Sequence, residues 1–262
     1  MNLNLIGKTA LVCGSTQGLG LASAIELSLL GANVILMARN EEKLKQALTQ
    51  LDISKEQKHD YLVADFSHPE NVRTAISSYV ESGNTIHILI NNTGGPAGGK
   101  AIKAATEEFI NAFNSHLICN HILVQALVPG MKAAGFGRII NVISTSVKQP
   151  LAGLGVSNTI RAAVANWSKT LATELGGFGI TVNNVLPGFT NTVRADYVIK
   201  KKASDTGKSE EEVMKELVAE IPVGRIGEPQ EFGAAVAFLC SPAAAYINGI
   251  NLPVDGGRTG CL

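Results

Sequence analysis

Thr9-Ala10-Leu11-Val12-Cys13-Gly14-Ser15-Thr16-Gln17-Gly18-Leu19-Gly20 passes from a short apolar run through a cluster of glycines into a helical pattern that reaches about Leu30. The order is strand, glycine turn, helix. Glycine lets backbone turn sharply and approach a ligand closely. The free N–H groups and dipole of a helix start favour a phosphate there. The spacing is G-x-x-x-G-x-G, not G-x-G-x-x-G, so the argument rests on the strand-to-helix context. On that context Gly14, Ser15, Gln17, Gly18, Leu19 and Gly20 are candidate residues for a dinucleotide.

The same alternation continues outward from this segment. Strands are expected at residues 9–13, 33–38, 60–64, 86–90, 138–143, 181–186 and 250–254. Helices are expected at 41–51, 69–82, 106–134, 158–175 and 228–239. Repeated βαβ units predict an α/β fold: a Rossmann-type doubly wound parallel sheet of about seven strands with helices on both faces. The whole chain, 1–262, reads as a single domain. Such sheets bind ligands beyond the carboxyl ends of their strands, which places the chemistry near Gly14, Asn92, Ser144 and Gly188. Residues 191–221 differ in being polar and charged, with Val213, Leu217 and Ile221 at helical spacing. A helical lid over a substrate is expected there.

Bulk composition excludes several classes. Hydrophobic residues make up 45% and charged residues 17% of 262, which is globular. Basic and acidic residues balance at 22 each. Lys200-Lys201-Lys202 is short and followed by acids, so a solvated surface is expected and no nucleic-acid partner. The four cysteines, Cys13, Cys119, Cys240 and Cys261, form no CxxC pair. No metal site and no disulfide framework is expected, and the cysteines read as mostly buried small side chains in a reducing compartment. Residues 1–8 lack a signal-like apolar run, and no stretch of about 18 apolar residues offers a membrane span. A cytoplasmic location is expected.

The end of the second strand reads Leu36-Met37-Ala38-Arg39-Asn40. A carboxylate at this point would hold adenosine ribose hydroxyls. Arg39 stands there instead, beside Asn40, and a guanidinium pairs well with a 2′-phosphate. NADP(H) is therefore favoured, with NAD(H) left open. Asp65-Phe66 after the third strand faces the adenine in this reading.

Taken in order, the glycine loop, Asp65, Asn91-Asn92-Thr93-Gly94, Asn141, Ser144, Asn183, Pro187-Gly188 and Val254-Asp255-Gly256-Gly257 make the chain resemble the short-chain dehydrogenase/reductase family over nearly its whole length. The resemblance implies a nicotinamide cofactor and a small carbonyl or alcohol substrate. It also implies a homo-oligomer, often a tetramer built on two long helices. It assigns Asn92, Gly94, Pro187, Gly188, Thr190 and Thr192 to the cofactor, Thr192 at the nicotinamide carboxamide. Cys13 departs from the family's usual threonine.

The resemblance also implies a serine, tyrosine, lysine and asparagine at the catalytic centre. Ser144 matches the serine. Thirteen residues on, the tyrosine position holds Ser157, and four further the lysine position holds Arg161. No tyrosine lies between Tyr79 and Tyr197 to repair the motif. The asparagine position falls on His116, with Asn114 two residues away. A serine hydroxyl is a poor acid, and arginine stays protonated. Arg161 retains donors for ribose hydroxyls or a developing oxyanion. An exposed histidine titrates near 6.5 and would shuttle protons at neutral pH. Ser144, Ser157, Arg161 and His116 are thus the catalytic candidates. Plainer roles stay open: Ser157 capping a helix from about residue 158, His116 in the core, Arg161 in a salt bridge.

Three functions compete at this point. One is an NADP(H)-dependent oxidoreductase, 3-oxoacyl-reductase-like or related, with an atypical proton source. A second is an inactive nucleotide-binding sensor or scaffold. A third is a structural subunit paired with an active relative.

Overall fold

The computed structural model describes residues 1–261. Its seven strands are β1 (Thr9–Cys13), β2 (Asn33–Ala38), β3 (Asp60–Val63), β4 (Ile88–Asn91), β5 (Gly137–Val142), β6 (Ile180–Pro187) and β7 (Asn251–Val254). They form one sheet in the order β3-β2-β1-β4-β5-β6-β7, with every neighbouring pair parallel. The order reverses between β1 and β4, so a crevice opens at their carboxyl ends.

The helices are α1 (Gly18–Leu29), α2 (Glu41–Leu48), α3 (Pro69–Glu81), α4 (Thr106–Phe113), α5 (Cys119–Ala133), α6 (Gly155–Leu175), α7 (Val193–Thr206), α8 (Glu210–Ala219) and α9 (Pro229–Cys240). Side chains alternate across each strand, and β1 shows the consequence. Ala10 and Val12 pack with Leu27 of α1, Leu44 of α2 and Phe232 of α9. Leu11 and Cys13 pack with Ile76 of α3, Leu123 of α5 and Leu171 of α6. Both faces are therefore covered, as the apolar strands require. Cys13, Cys119 and Cys240 are buried free thiols, and Cys261 is exposed.

Three expectations change. The helix expected over 106–134 is divided by a π-helical segment, Asn114–Ile118. One extra residue per turn there re-aims the side chains, and such segments concentrate at functional sites. The N-terminus of α6 lies at Gly155, not 158, with Leu154 as the N-cap residue. Ser157 therefore sits inside the first turn and is not the cap. Residues 191–221 carry two helices, not one. Gly207 adopts φ 71° after α7, and Ser209 with Glu212 forms a capping box that starts α8. Their shared core is Ile199, Ala203, Val213 and Leu217, against Phe189 and Met214. Ile221, read as part of the helical stripe, lies beyond α8 and packs at Gly256. Lys202 pairs with Glu216 at 3.2 Å, consistent with a solvated basic triplet.

A row of amides, buried at Asn91, Asn141 and Asn184 and exposed at Asn251, joins four strands. Asn91 donates to Asn141 (2.9 Å), Asn141 to Asn184 (3.1 Å) and Asn184 to Asn251 (2.8 Å). These residues are register partners across β4 to β7. The row pairs amide groups that would be costly to bury alone.

Helix α9 lies directly on α1. A side chain begun at Gly233 would sit 2.7 Å from the Ala22 carbonyl oxygen. Helix propensity favours Gly233→Ala by about 1 kcal/mol, whereas overpacking opposes it by about 1–3 kcal/mol. The contact is with backbone, which cannot swing away, so we expect net destabilisation. Urea unfolding of Gly233→Ala checks the sign.

Candidate functional site

A cavity of about 780 Å³ occupies the crevice at the β1/β4 reversal. Its floor is Gly14 and residues 16–19; one end is Ala38, Arg39 and residues 64–67. The other side is formed by residues 92–95, Ser115 and 187–190, and residues 192–195, Tyr197 and Val198, at the start of α7, complete the lining.

The glycine loop is shaped for close approach. Gly14 and Gly18 take φ 57° and 56°, conformations that favour glycine. A side chain at Gly14 would meet the Asn92 carbonyl oxygen at 2.5 Å. Helix α1 begins without a side-chain cap and with no acid in its first turn. Its first N–H groups and positive dipole end thus remain available at the cavity floor. Thr192, at the base of the lid, faces Gly18. Arg39 lies at the far end, beside Asp65, whose carboxyl is held low by bonds from the Ser67 N–H and hydroxyl and by the Arg39 charge. These features fit a dinucleotide with a phosphate on its adenosine ribose.

Of the residues expected to hold it, Gly14, Gln17, Gly18, Leu19, Arg39, Asp65, Phe66, Asn92, Gly94, Pro187, Gly188, Thr190 and Thr192 line the cavity. Three do not. Ser15 is fully buried, and its hydroxyl accepts the Met37 N–H at 3.1 Å, tying the loop to β2. A side chain at Gly20 would meet the Gly14 carbonyl oxygen at 2.3 Å, so this glycine allows α1 to pack on the loop. Asn40 caps α2 by accepting the Lys43 N–H at 2.9 Å. Sequence reasoning missed Thr16, Ser67, Ser115 and Arg194 as lining residues. The last lies in the stretch singled out as a lid; the first three adjoin named positions and carried no signal of their own.

None of Ser144, Ser157, Arg161 and His116 lines the cavity proper; they stand behind its 92–95 wall and at the end of β5. Ser144 is half-buried just past β5, and its hydroxyl accepts the Ser146 N–H at 3.1 Å. Ser157 is half-buried on α6. Arg161, one turn later, is 8% exposed and donates from Nη1 to the Val142 carbonyl at 3.0 Å. That carbonyl ends β5, so the guanidinium is anchored on the strand that leads to Ser144. A salt bridge was one expectation for Arg161; among the described residues it has none. Burial, then the Arg194 charge, pulls its pKa to about 10, still protonated at neutral pH.

His116 departs further from expectation. It is 2% exposed within the π-helical segment and shares a 2.6 Å hydrogen bond between Nδ1 and the Thr93 hydroxyl. Burial, reinforced by the Arg161 charge, drops its pKa to about 2. The imidazole is neutral at every physiological pH, so the expected shuttle through an imidazolium is corrected. His116 can orient Thr93 or pass a proton between its ring nitrogens, but it holds no spare proton. The site combines a fixed cation with neutral hydroxyls. It can stabilise negative charge on oxygen, and it contains no side-chain acid that titrates near neutrality.

The depressed histidine sets a pH dependence. Below about 6.5 the unfolded chain protonates His116 while the folded chain does not, so stability falls as pH drops from 6.5 towards 2. The slope is at most about 1.4 kcal/mol per pH unit for one such group. In His116→Asn this contribution disappears. We expect thermal midpoints to fall less steeply between pH 7 and 4 than in the parent, as calorimetry can measure.

A family model described as enoyl-(acyl carrier protein) reductase matches residues 14–259. The 3-oxoacyl-(acyl-carrier-protein) reductase FabG of Vibrio cholerae is 32% identical over 97% of this chain and 98% of its own length. L-sorbose reductase from Gluconobacter frateurii, solved with NADPH and L-sorbose, superposes with a TM-score of 0.93 at 32% identity, covering 100% of both chains. The actinorhodin polyketide ketoreductase, solved with NADPH, superposes with a TM-score of 0.89 at 31% identity over 97% of each chain.

Proposed function

The chain belongs to the short-chain dehydrogenase/reductase family, and from that premise we propose that it is an NADP(H)-dependent oxidoreductase acting on a carbonyl or alcohol. The observation that carries this reading is the single cavity linking the uncapped α1 terminus and Arg39 to Gly94 and Gly95, behind which Arg161 stands. NADPH bound in the similar structures supports the same cofactor here. When bound, the cofactor supplies or accepts the hydride.

This chain's own residues do the rest. Gly14, Gln17, Gly18 and Leu19 hold the pyrophosphate, and Arg39 the 2′-phosphate. Asp65 and Phe66 frame the adenine. Asn92, Gly94, Pro187, Gly188, Thr190 and Thr192 hold the nicotinamide half. Ser144 donates a hydrogen bond to the substrate oxygen, and Arg161 stabilises the charge that develops on it. Water then delivers the proton, because no side chain holds one ready. Lacking a positioned general acid costs about 10²–10⁴ in rate, so a slow enzyme is expected. Substrates of the 3-oxoacyl kind fit this reading, with α7 and α8 as their lid. A homodimer or tetramer is part of the proposal, with Ile110 and Phe113 of α4 exposed for such packing.

The replacement of the usual tyrosine and lysine by Ser157 and Arg161, together with a neutral His116, favours a second reading: a nucleotide-binding sensor or scaffold without turnover. NADPH oxidation with a carbonyl panel separates the two, the parent run beside Ser157→Tyr/Arg161→Lys. Turnover by the parent, reduced about 10²-fold in Ser144→Ala, supports the enzyme. Turnover by the double variant alone supports the sensor.

Cofactor choice has its own test. A hydrogen bond to a charged group contributes about 1.5–3 kcal/mol, so Arg39→Ala should weaken NADPH binding roughly 10- to 100-fold and leave NADH affinity nearly unchanged. Fluorescence titration measures both.

A further inference from the structure

The two ends of the cavity differ in charge. At the adenosine end, Arg39 has Asp65 nearby, and the pair influence each other. At the other end stand two arginines and no acid. Asp65, at the end of β3, is the sole carboxylate among the residues lining the cavity, and four strand positions separate β3 from β5.

Arg161 is buried, and Nη1 to the Val142 carbonyl is its one hydrogen bond among the described residues. Its Nη2 lies 3.7 Å from where a side chain at Gly95 would begin, and Gly95 lines the cavity. Glycine at this position leaves the guanidinium in reach of a bound molecule. Arg194, in the first turn of the lid helix α7, also lines the cavity. Its Nη2 donates to the Pro96 carbonyl at 3.2 Å, one residue beyond Gly95, and its guanidinium lies 5.3 Å over Tyr197. Two cations from different helices therefore converge on residues 95–96. Neither is in a salt bridge among the described residues. The Arg194 charge is felt at Arg161 and works against it.

A buried guanidinium without an anion is costly. One peptide carbonyl satisfies one donor and neutralises nothing, and ribose hydroxyls would add bonds but no charge. A forked guanidinium suits a carboxylate or a phosphate.

We propose that the substrate carries an anionic oxygen group, a carboxylate or phosphate, held between Arg161 and Arg194 as the lid lies over it. The term substrate rests on the oxidoreductase reading; the anion site itself does not.

Calorimetry on the protein saturated with NADP⁺ tests it, with malonate, inorganic phosphate and the neutral malonamide as probes. Malonate or phosphate should bind at least tenfold more tightly than malonamide, and the tighter of the two identifies the group. Arg194→Gln, an exposed change that leaves the core untouched, should remove most of that preference, as should Arg161→Gln where it folds. Equal affinity for charged and neutral probes overturns the proposal. So does an Arg194→Gln protein that loses NADP⁺ affinity but keeps the preference, since the arginine then serves the cofactor. Turnover is read separately with acetoacetate against methyl acetoacetate, and dihydroxyacetone phosphate against dihydroxyacetone. Anion-selective binding without any turnover upholds the site and sinks the oxidoreductase reading. Equal kcat/KM within each pair does the reverse.

Discussion

One side-chain amide holds the crevice together. Asn92 Nδ2 donates to the Cys13 carbonyl at 3.2 Å and the Gly14 carbonyl at 3.1 Å. It thereby ties the exit of β4 to the exit of β1, where the strand order reverses. Gly14 and Gly20 must lack side chains for this contact, because either would strike Asn92. The neighbours of Asn92 extend the connection. Asn91 begins the amide row across β5, β6 and β7, Thr93 bonds His116, and Gly95 borders Arg161. One short segment thus links the glycine loop, the sheet and the residues behind the cavity wall.

The electrostatics of that wall follow from burial. Where a tyrosine and lysine would form a proton-exchanging pair, Ser157 and Arg161 leave a permanent positive charge. The exclusion of water, reinforced by that charge, keeps His116 neutral. Two of the departures from the family pattern are therefore physically coupled, the Arg161 charge adding to what burial already does to His116. Such a fixed charge beside neutral hydroxyls suits an oxyanion, which is the basis of the proposed chemistry.

The lid is a small structure in its own right. Helices α7 and α8 share a core of four buried side chains, start from Thr192 beside the glycine loop, and place Arg194 over the 95–96 segment. Its attachment to the cavity is polar and local, the Arg194 contact to Pro96 being its main hydrogen bond there. The far end of α8 is tied to the C-terminal tail by the Glu220–Arg258 ion pair, and Arg194 is the α7 side chain whose charge is felt at Arg161.

Much of the fold was legible from residues alone. Apolar runs and turn glycines recur in order, and a parallel sheet demands buried strands, so the seven strands and their surrounding helices followed from local pattern. The glycine loop, Arg39 and Asp65 were readable for the same reason, each being a residue type whose chemistry suits its place at or just past a strand end, whereas Thr192 was named through the family resemblance. Residue type did not reveal burial or direction. Ser15, Gly20 and Asn40 sit in the nucleotide motif, yet packing turns them to structural work. The π-helical segment has no sequence period of its own; it lies where α4, α5 and α6 meet. The pKa of His116 is a property of its enclosure and of a guanidinium 45 residues along the chain. The convergence of Arg161 and Arg194 likewise joins residues on separate helices. Sequence determined which groups exist and along which elements they lie; tertiary structure decided which face one another without water between them, and charge interactions depend on that.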